Sequence, residues 1–217
     1  MQQLNLLSYN IQSGIYTRQY SEYVTSSWKH LLPHRERLYN LNRIALMLRA
    51  FAVVGLQEVD AGSLRSGFID QTEYLAFQAH FPHWYKQINR NLGKIAQHSN
   101  GVLSRLRPAR ITDYKLPGLP GRGAVIVEFD TSDAELLAIC ILHLALGWRA
   151  RRRQLGYIKE LISRYPYLVL MGDFNCDCSS RSLRELVYTS DLQGLDCELK
   201  TFPSWRPKRN LDHILIS

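Results

Sequence analysis

No apolar run in the chain approaches the roughly 20 residues that a membrane-spanning helix needs, so no transmembrane segment is expected. The start, Met1-Gln2-Gln3-Leu4-Asn5-Leu6-Leu7, lacks both the basic cluster and the long apolar core of a secretory signal. A cytoplasmic location is therefore expected. Cysteine is scarce: Cys140, Cys176, Cys178 and Cys197 are all there are. A Cys-x-Cys without a second pair or a spaced His pair supplies too few ligands for zinc, which leaves four free thiols as the expectation. Acidic residues are in deficit, 19 against 27 Lys and Arg, for a formal charge of +8 and a pI near 9.4. Such a surface favours polyanions: nucleic acid, phosphorylated small molecules or anionic lipid headgroups. The densest basic run, Arg149-Ala150-Arg151-Arg152-Arg153, opens a helical segment and reads as a solvated helix face. Repeats, linkers and low-complexity blocks are lacking too, and 217 residues with 46% hydrophobic content fit one domain, 1–217.

What is present is organised around Tyr167-Leu168-Val169-Leu170-Met171-Gly172-Asp173-Phe174-Asn175. A short apolar run closed by glycine reads as a buried strand, and it delivers Asp173 and Asn175 together at its end. Other runs end in the same way. Leu4–Ile11 delivers Asn10, Ala52–Glu58 delivers Glu58, and Leu136–Leu144 carries His143 near its end. The last run, Leu211–Ile216, contains Asp212.

Between these runs the spacing is helical. Leu38, Leu41, Ile44, Ala45 and Leu48 recur at three and four residues, as do Leu155, Ile158, Leu161 and Ile162. Asp70 is placed to cap a short helix reaching Phe81 before Pro82, and Ser182–Tyr188 forms another. A loop rich in aromatics runs through Trp28 to Pro33. Tyr85–Asn89, Val102–Arg105 and Ala124–Phe129 read as strands, with Asn100-Gly101 expected as a tight turn. Leu116–Gly123 is a loop by its Pro and Gly content, and Thr201–Trp205 an irregular aromatic loop.

Strands that end in Asn10, Glu58, His143, Asp173 with Asn175, and Asp212 assemble the groups that phosphate-ester hydrolysis requires. A hard cation such as Mg²⁺ takes oxygen ligands and keeps several waters, so one or two carboxylates suffice, and Glu58 is the candidate ligand. The reaction also needs a base to orient water, donors for the phosphoryl oxygens and help for the leaving oxygen. Asp173, Asn175 and His143 can supply these. Arg122 can bond a phosphate or a carboxylate, and Trp205 with Phe202 can flank a cleft or cover a core edge.

The chain resembles the endonuclease/exonuclease/phosphatase superfamily with the deoxyribonuclease I-like fold. The matching pieces are Ser8–Ile11, Leu56–Val59, Asn100–Arg105, Arg122–Ala124, His143-Leu144, Gly172–Asn175, Thr201–Trp205 and Leu211–Ile214, in the family's order. The resemblance implies an α/β, four-layer sandwich of two mixed, mostly antiparallel β-sheets flanked by helices, and Mg²⁺- or Mn²⁺-dependent hydrolysis of phosphate esters. It implies Asn10 and Glu58 at the metal, with Asp173 and Asn175 handling the attacking water and a phosphoryl oxygen. His143 contacts the phosphate or protonates the leaving group, and Asp212 orients a catalytic histidine. Asn100, Arg122 and Trp205 are the candidate substrate contacts, and the substrate is a phosphoester, nucleic acid and phospholipid headgroups included.

The family supplies that histidine from a later Ser-Asp-His segment before a final strand, and no such segment follows Asp212 in this sequence. The expectation is a domain truncated at its C-terminus and lacking that strand, with His213 an ordinary strand residue directed away from Asp212. The alternative function is a catalytically weak or inactive module that binds nucleic acid or other phosphorylated ligands on the same fold.

Overall fold

A computed structural model describes residues 3–14, 35–91, 93, 95, 97–131 and 135–217. The loop expected through Trp28 to Pro33 lies outside the described residues. The chain divides into two compact units, Met1–Arg107 and Pro108–Ser217.

The first unit holds a four-stranded sheet in the order β1-β2-β4-β3, formed by β1 (Leu6–Asn10), β2 (Val53–Asp60), β3 (His83–Asn91) and β4 (Gln97–Ser104). β1 and β2 run parallel, which requires a crossover, and helix α1 (Arg35–Leu48) lies between them in sequence. Helix α2 (Gln71–Ala79) begins at Asp70 as expected, whose carboxylate accepts the backbone N–H of Thr72 at 3.0 Å and of Glu73 at 3.3 Å. Leu41, Ala45 and Leu48 of α1 join Leu75, Ala76 and Ala79 of α2 over Val54, Leu56 and Leu103 in one core.

The second unit holds a five-stranded sheet in the order β5-β6-β7-β8-β9. Its strands are β5 (Arg110–Lys115), β6 (Gly123–Asp130), β7 (Leu136–His143), β8 (Tyr167–Asp173) and β9 (Asp212–Ile216). Only β7 and β8 pair in parallel, and helix α3 (Trp148–Ile162) connects them. Leu155, Ile158 and Ile162 of α3, with Leu183 and Leu186 of helix α4 (Arg181–Thr189), cover Ala124, Ile126, Cys140, Leu142 and Leu170. Both faces of β6, β7 and β8 are buried, which is why these strands read as unbroken apolar runs.

The fold class is the expected one, α/β with two mixed, mostly antiparallel sheets and, among the described residues, four α-helices. Three local expectations differ. Asn100-Gly101 is not a turn but the middle of β4, where Gly101 pairs with both Leu56 and Lys86. Glycine is needed there because a Cβ would stand 2.9 Å from Thr72 Oγ1 of α2. Strand β5 went unread in the sequence. Nor are all four cysteines free: Cys178 and Cys197 form a disulfide, while Cys140 and Cys176 remain thiols buried in the second unit. Burial pushes the Cys140 thiol up to about 12, so it stays protonated and inert.

Candidate functional site

In the first unit Asn10 ends β1 beside Gln57, and Glu58 follows on β2. The β2–β4 ladder slips between Leu56 and Val59, so Gln57 and Glu58 bulge opposite Asn100. Glu58 itself is left-handed, φ 55°, a conformation rare for a residue with a Cβ and one that turns its side chain out of the pleat. Asn10, Glu58 and Asn100 thus share one end of this sheet.

A buried polar clamp holds the bulge. Gln71 Nε2 donates to the Ser13 carbonyl at 2.8 Å, Ser13 Oγ donates to the Glu58 carbonyl at 3.1 Å, and the Asp60 N–H donates to Gln71 Oε1 at 2.9 Å. Asp60, fully buried, accepts the Ser63 N–H at 2.7 Å and the hydroxyls of Ser63 and Ser66 at 2.7 and 2.9 Å. Asn10 Oδ1 accepts the Gln12 N–H at 3.1 Å, which fixes the carboxamide. Nothing in the sequence marked Ser13, Asp60 or Gln71, because they act only through these long-range bonds. Buried Asn100 donates through Nδ2 to Gln87 Oε1 at 3.2 Å.

In the second unit three of the expected residues stand in one row. His143 on β7 pairs with Asp173 on β8, and Asp173 pairs with Asp212 on β9. Residues directly opposite on neighbouring strands project to the same face, so the imidazole and both carboxylates are neighbours. His143 Nε2 lies 3.6 Å from Asp173 Oδ2, and both side chains are almost fully buried. Gly172 makes this approach possible: its φ is 153°, and a Cβ there would meet the Leu142 carbonyl at 2.0 Å.

Asn175 lies past the end of β8 in a left-handed turn, φ 51°, rather than on the extended strand. Its N–H donates to Asp173 Oδ1 at 2.8 Å and its Nδ2 to the Leu144 carbonyl at 2.8 Å, so both functional groups are held by one turn. Arg122 immediately precedes Gly123, the residue paired with His143, and its Nη1 donates to the Gly121 carbonyl at 3.0 Å.

Burial pushes the Asp212 carboxyl above its ordinary value, and a bond from the Thr201 hydroxyl offsets part of this. Thr201 Oγ1 also accepts the Leu211 N–H at 3.1 Å, so the aromatic loop acts on Asp212 through Thr201. Trp205 in the same loop is half-buried. His213, one residue on, is buried, and its Nε2 bonds the Cys176 carbonyl at 2.9 Å. A carbonyl only accepts, so Nε2 carries the proton. Its ring meets Phe174 edge-on with centroids 5.2 Å apart, and burial lowers its pKa.

Among the described residues no three His, Cys, Asp or Glu side chains gather as a metal cluster. The two side chains expected at a metal, Glu58 and Asn10, offer a carboxylate and a carboxamide oxygen. That suits a hard cation retaining most of its water, as Mg²⁺ does, and suits neither zinc nor a soft metal.

The model of the Endonuclease/Exonuclease/phosphatase family matches residues 7–217. No curated protein sequence matches the chain. Among solved structures, a mannosyl-6-phosphatase of Bacteroides thetaiotaomicron superposes with a TM-score of 0.69 at 17% identity, covering 99% of this chain and 85% of that one. The human Nocturnin catalytic domain with bound sulfate gives 0.61 at 14%, over 99% and 82%. Sphingomyelinase C from Streptomyces griseocarneus gives 0.61 at 18%, over 98% and 83%. At these identities the likeness establishes the fold, and the sequence model establishes the kinship. The chain belongs to the endonuclease/exonuclease/phosphatase family.

Proposed function

We propose that the chain is a Mg²⁺- or Mn²⁺-dependent hydrolase of phosphate esters, a phosphodiesterase or nuclease in which water attacks phosphorus. The observation that carries this reading is the row His143, Asp173, Asp212 on three adjacent strands, with His143 and Asp173 3.6 Å apart. Glu58, with Asn10, would hold the ion, and a bound ion would supply Lewis-acid chemistry.

Asp173 accepts a proton from the attacking water as its oxygen bonds to phosphorus. The Asn175 N–H at Oδ1 fixes the plane of that carboxylate. Asn175 Nδ2 spends one proton on the Leu144 carbonyl and presents the other to a phosphoryl oxygen. As the bond to the leaving oxygen breaks, His143 protonates that oxygen or steadies the charge on the phosphoryl group. Asp212 is assigned the orienting of a catalytic histidine. Arg122, Asn100 and Trp205 serve as substrate contacts. Two of the structural relatives are named for a sugar phosphate and a phospholipid, and the net charge of +8 suits phosphorylated ligands and nucleic acid.

The test is a panel of duplex DNA, RNA, a phospholipid headgroup ester and a sugar phosphate, assayed with Mg²⁺, with Mn²⁺ and with a chelator. Metal-dependent turnover of at least one phosphoester supports the reading. Binding of phosphorylated ligands with no turnover of any would make the chain a binding module instead.

A further inference from the structure

Two loops of the second unit and the first residue of α3 carry large apolar side chains into solvent. Leu119 is 86% exposed, Leu146 75% and Trp148 63%. Single exposed leucines are ordinary, but these sit on segments pinned to one another. Buried Gln154 of α3 donates through Nε2 to the Pro117 carbonyl at 3.1 Å and accepts the Ala145 N–H through Oε1 at 2.8 Å, so one side chain ties both loops to the helix. Arg151 Nη1 donates to the carbonyls of Ala145 and Leu146 at 3.1 and 2.8 Å. A Cβ on Gly118 would stand 4.0 Å from that of Ala150. Pro117 and Pro120 stiffen the first loop further. The apolar tips are therefore held out by a preformed scaffold.

Their surroundings are cationic. Exposed Arg149 and Arg153, one helical turn apart, share a face of α3, and the N-terminal end of that helix adds partial positive charge. The Arg149 guanidinium lies 5.3 Å from the centre of the Trp148 ring. No acidic residue occurs in 115–123 or 144–153.

We propose that these loops and the first turns of α3 form a docking surface for an anionic lipid membrane. Leu119 and Leu146 enter the acyl boundary, Trp148 sits at headgroup depth as tryptophan prefers, and the arginines meet lipid phosphates. A nucleic acid fits the charge and could stack on Trp148, but Leu119 and Leu146, the most exposed of the three, offer bases no stacking plane and suit an acyl boundary. The inference does not depend on the proposed hydrolysis, since it concerns where the protein sits rather than what it cleaves.

Sedimentation with vesicles tests it, using pure phosphatidylcholine against an equimolar mixture with phosphatidylglycerol. The expected result is binding to the anionic vesicles only, weakened by salt, with a tryptophan emission shift that Trp148→Phe removes. Each of Arg149→Gln and Arg153→Gln should weaken it about fivefold, from roughly 1 kcal/mol per basic residue at such a surface. Leu119→Ser with Leu146→Ser should weaken it about tenfold or more at an unchanged melting temperature. Undiminished binding by that double variant, equal binding to uncharged vesicles, or binding to an oligonucleotide with none to vesicles would overturn the proposal.

Discussion

His143 and Asp173 face each other across a parallel strand pair, Nε2 to Oδ2 3.6 Å, with side chains 4% and 10% exposed. In so little water a charge on either group would act strongly on a phosphoryl group beside it. His143→Gln should lower kcat by roughly 10²- to 10⁴-fold while leaving the melting temperature near the parent's. The loss should be larger for an alkoxide leaving group than for a nitrophenolate, which leaves without a proton. Parent-like turnover of the alkoxide ester would remove His143 from the reaction.

Glu58→Gln should weaken Mg²⁺ binding about tenfold or more and abolish most turnover without unfolding the bulge, whose Ser13 bond uses only the Glu58 carbonyl. Calorimetric titration with Mg²⁺ reads this directly. Gln71→Ala, which cuts the clamp further back, should also lower metal affinity, and unchanged affinity in both variants would put the ion elsewhere.

Asp212 and His213 impose opposite pH dependences on stability. Burial raises the Asp212 carboxyl above its usual 3.8. Its contribution to stability is therefore complete below that unfolded value and is lost as pH rises through the folded one. At neutral pH the buried charge costs stability, so Asp212→Asn should melt higher than the parent, by a margin that shrinks as the solution is acidified, while activity falls. His213 is lowered from 6.5, so its contribution is present above 6.5 and is lost as pH falls through the folded value. Melting curves should therefore show the parent weakening below about 6.5 and His213→Gln weakening less. A parent insensitive to that change would mean the imidazole is not held neutral.

The Cys178–Cys197 bridge joins residues 19 positions apart in the sequence. In the chain-entropy model a loop of this size is worth about 3 kcal/mol. Reductant, or Cys197→Ser, should lower the melting temperature accordingly, and the reduced parent and the variant should melt alike.

The strand ends were legible because each combines an apolar run with a polar terminus, and Gly172 is explained by a backbone approach that admits no Cβ. Asp70 was legible as a cap because capping is local. β5 was not, since Arg110–Lys115 buries no complete face and has no apolar pattern to read. Asn100-Gly101 carries a turn's local preference that α2 overrides through Thr72. The left-handed turn that places Asn175, the disulfide, and the bonds of Gln71, Ser13 and Thr201 all join residues that no periodicity links.

Turnover by Asp173→Asn tests the proposed hydrolysis most directly. The variant keeps the shape of the side chain and an oxygen to receive the Asn175 N–H, so its fold should match the parent's. On whichever phosphoester the parent hydrolyses with Mg²⁺, its kcat should be lower by roughly 10²- to 10⁴-fold at an unchanged melting temperature. Parent-level turnover by a variant that melts like the parent would contradict the assignment of Asp173 to the attacking water.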